Sequence, residues 1–467
     1  MLPIEFKDRI AAIIGADEAM RLIESIEKSD SVKAFRVNGI KTNIATFEQG
    51  DQIDRRRVDF PPHAYLTNEE FPGTLACHHS GAIYMQDISA MSTVHALDVP
   101  KGARVLDTCS APGGKTTQMA EAVGDGGIVV ANEYDAKRCR ILQGNVERMG
   151  CKSTVVVNLD TSVLAECYPG TFDVVLCDAP CSGEGMFRKN PRAVEEWSVD
   201  NVLMCAERQR EILSNVVQCV APGGHLIYST CTFSLEENEQ NVEWLLDKYC
   251  DFSLVDVLPD LHKNTAAGIT FEGCKYDMSK CRRIYPHLSN GEGQFVALFK
   301  RAEPCEVAAS VDGKRRNKDK AASKRPDKKD LDAISLAREL IGSCIDGDTV
   351  GTLTLIGDKV YLKPDIALPP HSVFLAGVCV GTVQNGRIEP HHQLFSAYGK
   401  AFCRRIELDS RDPDAQAYLR GEEISAHGVD NGYCAILIDG CAVGGGKISS
   451  DRCKNHYPKG LRIKKEF

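Results

Sequence analysis

A chain of 467 residues exceeds one ordinary domain, and with 43% hydrophobic and 26% charged residues it has the composition of a globular protein, not of a disordered, collagenous or membrane-embedded one. Its net charge of -9 argues at face value against a polyanionic partner, and its 20 cysteines, spread over the whole length without a C-x-x-C pair, argue against a disulfide scaffold. No apolar run approaches the roughly 20 residues that span a bilayer, and the start MLPIEFKDR carries no secretory leader, so reduced thiols, a cytoplasmic location and no membrane contact are expected.

Regular alternation is clearest in the middle third. Ala103 to Asp107 predicts a strand, Lys115 to Val123 a helix, Ile128 to Glu133 a strand, Asp135 to Met149 a helix, and Thr154 to Asp160 and Phe172 to Asp178 two further strands. A helix over Val199 to Val220 and a strand over His225 to Ser229 continue the series. Arg282 to Pro286 and Gln294 to Lys300 then flank a Ser-Asn-Gly-Glu-Gly turn as an antiparallel hairpin. Strands separated by helices imply right-handed crossovers, hence a Rossmann-like α/β fold whose parallel sheet is covered on both faces. A hairpin closing that sheet suits a methyltransferase better than a dehydrogenase.

Charge is unevenly placed. Lys314 to Lys329 holds nine Lys or Arg against two Asp, a local +7 that leaves -16 for the rest of the chain. A stretch this polar cannot bury enough surface to offset its ordering entropy, so it predicts a flexible linker. Lys447 to Lys465 carries seven more Lys or Arg against one acid, Asp451, interleaved with His456 and Tyr457, which reads as a folded basic patch.

In an open α/β sheet ligands bind beyond the carboxyl ends of strands, so the loops after Asp107, Asp178 and Ser229 should share one crevice. The first reads Asp107-Thr-Cys-Ser-Ala-Pro-Gly-Gly-Lys. Gly113 and Gly114 allow close backbone approach and a tight turn into a helix N-terminus. Glu133, at the end of the next strand, is placed to accept the hydroxyl hydrogens of a ribose, and Asp160, ending the third strand, is placed to meet the adenine. Neither G-x-G-x-x-G nor a Walker A loop is present, so S-adenosylmethionine fits better than NAD or ATP. The other two loops, Asp178-Ala-Pro-Cys-Ser-Gly and Ser229-Thr-Cys-Thr, each place a cysteine, Cys181 and Cys231, in that crevice. Methyl transfer to nitrogen or oxygen needs no thiol. Carbon 5 of a pyrimidine does, because it becomes nucleophilic only after something adds at C6, and a thiolate both attacks well and leaves well. Cys77-His78-His79 lacks a second spaced pair, and no metal site is expected.

The strings LDTCSAPGGKTTQ, FDVVLCDAPCSGEGMFRK and YSTCTFSLEENE resemble, in order and spacing, the motifs of the RNA cytosine-5 methyltransferases of the Nop/Sun type over roughly Gln86 to Lys300. KAFRVNGIKTN and YMQDISAMS are similar to that family's N-terminal region. RIEPH, YLRGEE and CKNHYPKGLR resemble more narrowly its RsmF branch, bacterial enzymes that methylate 16S ribosomal RNA and carry a PUA-like RNA-binding module. The resemblance implies that Cys231 is the nucleophile, that Cys181 helps release the product, that Asp178 holds the cytosine edge near N3, and that Lys115 contacts the base and shapes the cofactor loop. It places the cofactor on Cys109, Ser110, Ala111, Pro112, Gly113, Gly114, Lys115, Glu133, Asp160 and Asp178. Cys109 and Ser110 depart from the small apolar residues common there, and Asn158-Leu159 from a more polar pair. DNA-type cytosine-5 enzymes use the Pro-Cys cysteine as nucleophile, which supplies a competing assignment for the two thiols.

The organisation so implied is an N-terminal RNA-binding extension over 1–95, a methyltransferase domain over 96–301, the basic linker over 302–332, a small α+β module over 333–396 and a PUA-like module over 397–467. The expected partner is RNA, foremost 16S ribosomal RNA within or near the small subunit, with transfer RNA as the alternative and no obligate protein partner evident. Arg188, Lys189 and Arg192 beside the active-site loop, together with the Lys447 to Lys465 patch, are the candidates for holding its backbone. A Rossmann oxidoreductase would lack its glycine fingerprint, and a non-catalytic RNA-binding protein would have no use for paired thiols and cofactor acids together.

Overall fold

The computed structural model describes residues 2–28, 30–303 and 328–463. Two helices, Ile4–Ile14 and Ala16–Lys28, precede a four-stranded antiparallel sheet made of β1 (Lys33–Val37), β2 (Arg56–Arg57), β3 (Ala64–Thr67) and β4 (Ile83–Met85), in the order β2-β3-β1-β4. The central sheet follows with β5 (Arg104–Asp107), β6 (Ile128–Asn132), β7 (Thr154–Val157), β8 (Phe172–Asp178), β9 (Val220–Thr230), β10 (Phe252–Val255), β11 (Ala266–Ala267), β12 (Arg282–Ile284) and β13 (Gln294–Arg301). Neighbours β9-β8-β5-β6-β7 are parallel, and β13 runs antiparallel beside β9. The chain leaves β5 toward β6 and β7 and then returns to β8 on the other side, so the topological switch lies between β5 and β8, where such sheets hold their ligands.

These strands are near-continuous apolar runs because both faces are covered. Val105, Val129, Val156, Val174 and Ile227 pack beneath the helices Gly114–Val123 and Ala136–Arg148. The alternate residues Leu106, Val130, Val155, Val175 and Leu226 face the helices Val199–Val216 and Glu239–Lys248. Most predicted elements recur with shifted ends. The strand expected to reach Asp160 stops at Val157, because the Asp160 side chain instead accepts from Ser162 N and caps the helix Thr161–Cys167. The helix expected to reach Val220 ends at Val216; a 3₁₀ turn over Val217–Cys219 leads directly into β9, which starts five residues before His225. The predicted hairpin is β12 paired with β13.

The acidic and basic run between Lys314 and Lys329 lies mostly outside the described residues, and Lys328–Cys344 is a helix, so residues 328–332 of the expected linker are helical. Beyond it, β14 (Thr352–Ile356), β15 (Lys359–Lys363), β16 (Val373–Ala376), β17 (Val378–Gln384) and β18 (Arg387–Pro390) follow. Four of them form a sheet, β14-β15-β17-β18, while β16 leaves it and pairs antiparallel with β7, adding an edge strand to the central sheet. The last module is a five-stranded sheet of β19 (Arg405–Leu408), β20 (Ile424–Ser425), β21 (Gly432–Ile438), β22 (Cys441–Ser449) and β23 (Arg452–Asn455). Among the described residues no helix is long and apolar enough to cross a membrane, and no three His, Cys, Asp or Glu are grouped to hold a metal ion. His79 instead shares a hydrogen bond with the Tyr457 hydroxyl at 3.0 Å.

Candidate active site

The carboxyl ends of β5 through β9 open into a cavity of about 690 Å³. Cys109, Ala111, Glu133 and Asp160 line one part of it, and Asp178, Cys181 and Cys231 another. Glu133 is buried at the end of β6, its carboxylate accepting from the Ala111 and Asp135 amides at 3.3 and 3.0 Å. Asp160 lies at the rim with one oxygen committed to its helix cap. Ser110, Pro112, Gly113, Gly114 and Lys115 do not line the cavity; they build the loop that does. Ser110 bridges Asp107 and Asn132 through its hydroxyl and amide, and the Pro112 carbonyl accepts from Tyr84 and Asn145. Gly113 sits at φ 111°, a conformation L side chains avoid, and a Cβ there would press on Leu142 at 3.1 Å. Beneath the loop, burial lifts Asp107 to about 7 despite the hydrogen bond from Thr116, and its Oδ1 has no partner among the described residues.

The residues present fit an adenosine-bearing sulfonium: a buried carboxylate at the β6 end for hydroxyls, an apolar wall of Leu159, Ile212 and Pro180, and the thiols at the far side. Sequence reasoning missed part of this wall. Arg208 and Ile212 stand one helical turn apart on Val199–Val216, far in sequence from any motif, and Tyr134 is 76% exposed directly after Glu133. It also missed Arg36, a buried residue of β1 that donates to Gln86, to the Gly114 carbonyl and to Thr117, tying the N-terminal sheet to the helix that follows the loop after β5.

Cys181 and Cys231 meet. Their sulfurs are 3.1 Å apart, and the Cys231 amide donates to Cys181 Sγ at 3.3 Å. The hydrogen bond to Cys231, then burial, holds Cys181 well above the usual thiol range. Asp178 lies alongside: Oδ2 receives Lys115 Nζ at 2.8 Å, and Oδ1 receives Ser229 Oγ at 2.6 Å and Gln294 Nε2 at 3.1 Å. Burial alone would lower Lys115, but Asp178, through its negative charge and its hydrogen bond, outweighs it and holds the ammonium above its ordinary value.

The suggested RNA-backbone residues divide. Arg188 is a correction to the expectation: its side chain is 7% exposed, with Nε on Glu292 at 2.8 Å and a second nitrogen on the Gly291 carbonyl, so it holds the turn before β13 rather than facing solvent. Lys189 pairs with Asp87 and Glu292, and Arg192 is exposed.

Comparison with known proteins gives the chain a family. The model of the 16S rRNA methyltransferase RsmB/F family matches residues 94–300, flanked by matches to the N-terminal domain of 16S rRNA methyltransferase RsmF over 2–88 and to the methyltransferase RsmF PUA domain over 405–463. The chain is 31% identical to ribosomal RNA small subunit methyltransferase F of Klebsiella pneumoniae (strain 342), covering 92% of this chain and 90% of that protein, and 30% identical to its namesake in Vibrio campbellii, covering 98% and 97%. Among solved structures, a methyltransferase homolog from Pyrococcus horikoshii matches at 27% identity and TM-score 0.55, over 64% of this chain and 94% of that one. NSun6 from the same organism, with SFG, shares the fold at 21% identity and TM-score 0.54 over 64% and 98%.

Proposed function

We propose, of a chain that belongs to the ribosomal RNA small subunit methyltransferase F family and is thereby an RNA methyltransferase, that it methylates C5 of cytosine in 16S ribosomal RNA through a covalent bond from Cys231 to C6. The observation that carries this reading is the contact of two thiols at 3.1 Å on the wall of the cofactor cavity, an arrangement that methylation of a lone-pair atom would not need.

S-adenosylmethionine, the cofactor of this family, supplies the methyl group as an electrophile. Cys109, Ala111, Glu133 and Asp160 would hold it, on the loop shaped by Ser110, Pro112, Gly113, Gly114 and Lys115. Lys115 donates to Asp178 at 2.8 Å and so sets a positive charge on the side of the site where the thiols lie. The thiolate pair forms the S–C6 bond while the C5–C6 π pair moves toward the C4–N3 side, and N3 takes a proton from the Lys115–Asp178 pair. C5, now an enamine carbon, accepts the methyl group. Its remaining proton passes to water, the C–H pair re-forms C5=C6, and the S–C6 bond breaks. Cys181, whose sulfur lies 3.1 Å from that of Cys231, donates to the departing thiolate, and N3 returns its proton to Asp178 and Lys115. The cytosine must reach this cavity from a loop or by flipping out of its stack. Residues 1–95 and 397–467 are assigned to RNA selection, 96–301 to the reaction and 333–396 to joining the two.

Cys231→Ala should abolish methylation, while Cys181→Ala should accumulate a protein–RNA adduct on denaturing gels; the adduct appearing in Cys231→Ala instead would reverse the roles. Bisulfite mapping of RNA from a deletion strain should lose a 16S signal. Loss in transfer RNA with 16S unchanged would refute the ribosomal substrate.

A further inference from the structure

Cys181 and Cys231 belong to loops that enter the site from different strands, β8 and β9, and nothing in either loop alone sets the distance between their sulfurs. Two buried carboxylates link the loops in opposite directions. Glu184, three residues after Cys181, reaches across to the Cys231 loop, where its Oε2 accepts from Phe233 N at 2.8 Å and Thr232 Oγ1 at 3.0 Å. Trp197 Nε1 holds its other oxygen at 2.9 Å. Glu237, six residues after Cys231, reaches back to the Cys181 loop, where it accepts from the Ser182 amide at 3.0 Å and the Ser182 hydroxyl, with Gln209 Nε2 at 2.8 Å behind it. Between them the Ser182 and Thr232 hydroxyls meet at 2.9 Å. Each carboxylate therefore rises from one cysteine's loop and grips the residue next to the other cysteine.

Glu184 is 3% and Glu237 0% exposed, and neither lines the cofactor cavity, so neither reaches substrate. Burying two carboxyl groups a few residues from the thiols is costly, and burial lifts both above the ordinary carboxylate range, with Glu184's charge adding to the rise at Glu237. A cost borne in this position calls for a return that a well-packed apolar contact would not give, namely a fixed register between the two loops.

We propose that Glu184 and Glu237 are reciprocal positioning residues that set the Cys181–Cys231 spacing, and that the step requiring both thiols, release of the methylated base, depends on them more than the step requiring Cys231 alone. The second part rests on the covalent mechanism above; the first does not.

Two readouts separate them. Diamide takes one hydrogen from each of two thiols and joins the sulfurs, so the rate of Cys181–Cys231 crosslinking in the intact chain, followed by peptide mass, reports the spacing without RNA. Glu184→Gln and Glu237→Gln keep the volume but turn an amide donor toward hydroxyl and amide donors; they should slow the crosslink about tenfold. With RNA and cofactor, adduct should form at close to the wild-type rate and decay more slowly by a similar factor. Thr232→Val removes, at equal volume, the hydroxyl bonded to both Glu184 and Ser182 and should behave like the carboxamides, whereas Thr232→Ser should restore wild-type behaviour. If a carboxamide variant does not fold, the Thr232 pair decides. Wild-type crosslinking rates in the folded Gln and Val variants would overturn the proposal. Slow crosslinking with no adduct in any variant, wild type included, would support the spacing role and sink the covalent mechanism instead.

Discussion

Glu237 accepts hydrogen bonds from Ser182, Gln209 and Ser234 and still sits at about 7, because burial outweighs those donors. A carboxyl whose folded value lies above its unfolded 4.5 holds its proton longer in the folded state. Its contribution to stability is therefore full below about pH 4.5 and is lost as the pH rises through about 7, a span worth about 3 kcal/mol at 1.36 per unit. Urea denaturation of the wild type and Glu237→Gln between pH 5 and 8 should show the wild type losing stability relative to the variant as pH rises; a parallel pair of curves would exclude this. At this scale much of the site was legible. Cys181, Cys231, Asp178 and Lys115 stand in short motifs at strand ends, and strand ends are where such sheets place their chemistry. Arg36, Arg208 and Glu237 were not, because their value lies in what they face across the fold, and no local pattern records that.

At the scale of elements, β16 changes what the carboxyl-terminal half does. Val155, Val156 and Val157 of β7 are fully buried and pair with Ala376, Leu375 and Val373, more than 200 residues away in the chain. The strand character of Thr154 to Val157 was plain from its β-branched run, but its edge partner was not, since an isolated four-residue strand carries too little pattern to announce which sheet it joins. Leu375 is 1% exposed in the core beneath the central sheet, so Leu375→Ala should cost about 2–4 kcal/mol in a denaturant titration. A chain ended at Arg301 would expose the β7 edge and should aggregate in a concentration-dependent way by light scattering. Loss of methylation in such a truncation would then report a bared sheet edge, not lost RNA selection.

Across the whole molecule, the modules that sequence separated also meet at a buried amine, Lys41, which burial lowers to about 7. Lys41, between β1 and the helix Ile44–Gln49, donates to the Ser396 carbonyl at 2.7 Å and hydroxyl at 3.1 Å and to the Ala442 carbonyl at 2.7 Å, and Ser396 in turn bonds the Glu147 carbonyl of the central domain. Charge shows the opposite pattern at the surface. Lys447 of β22 and Lys454 of β23 are exposed and directly opposed across the strand pair, an unfavourable placement that a polyanion would relieve. Replacing both with Gln should leave stability unchanged or slightly raised, weaken RNA binding and lower the dependence of log affinity on log salt by about one to two. An unchanged salt slope would remove this pair from the RNA interface.

What the amino-acid order determined by itself was local: the βα alternation, the three strand-end loops, the two cysteines and the acids at strand ends, and the basic runs hidden inside a net charge of -9. These follow from periodicity and from chemistry confined to a few consecutive residues. The tertiary structure alone decided that the two thiols lie 3.1 Å apart, which residues of the loop after β5 face the cavity and which only shape it, that Arg188 is a buried strut, and that β16 and Lys41 tie the outer modules to the rest of the chain. Each of these depends on contacts between residues tens to hundreds of positions apart, where the energy of a hydrogen bond or a buried charge is set by the surroundings rather than by the neighbours in the chain.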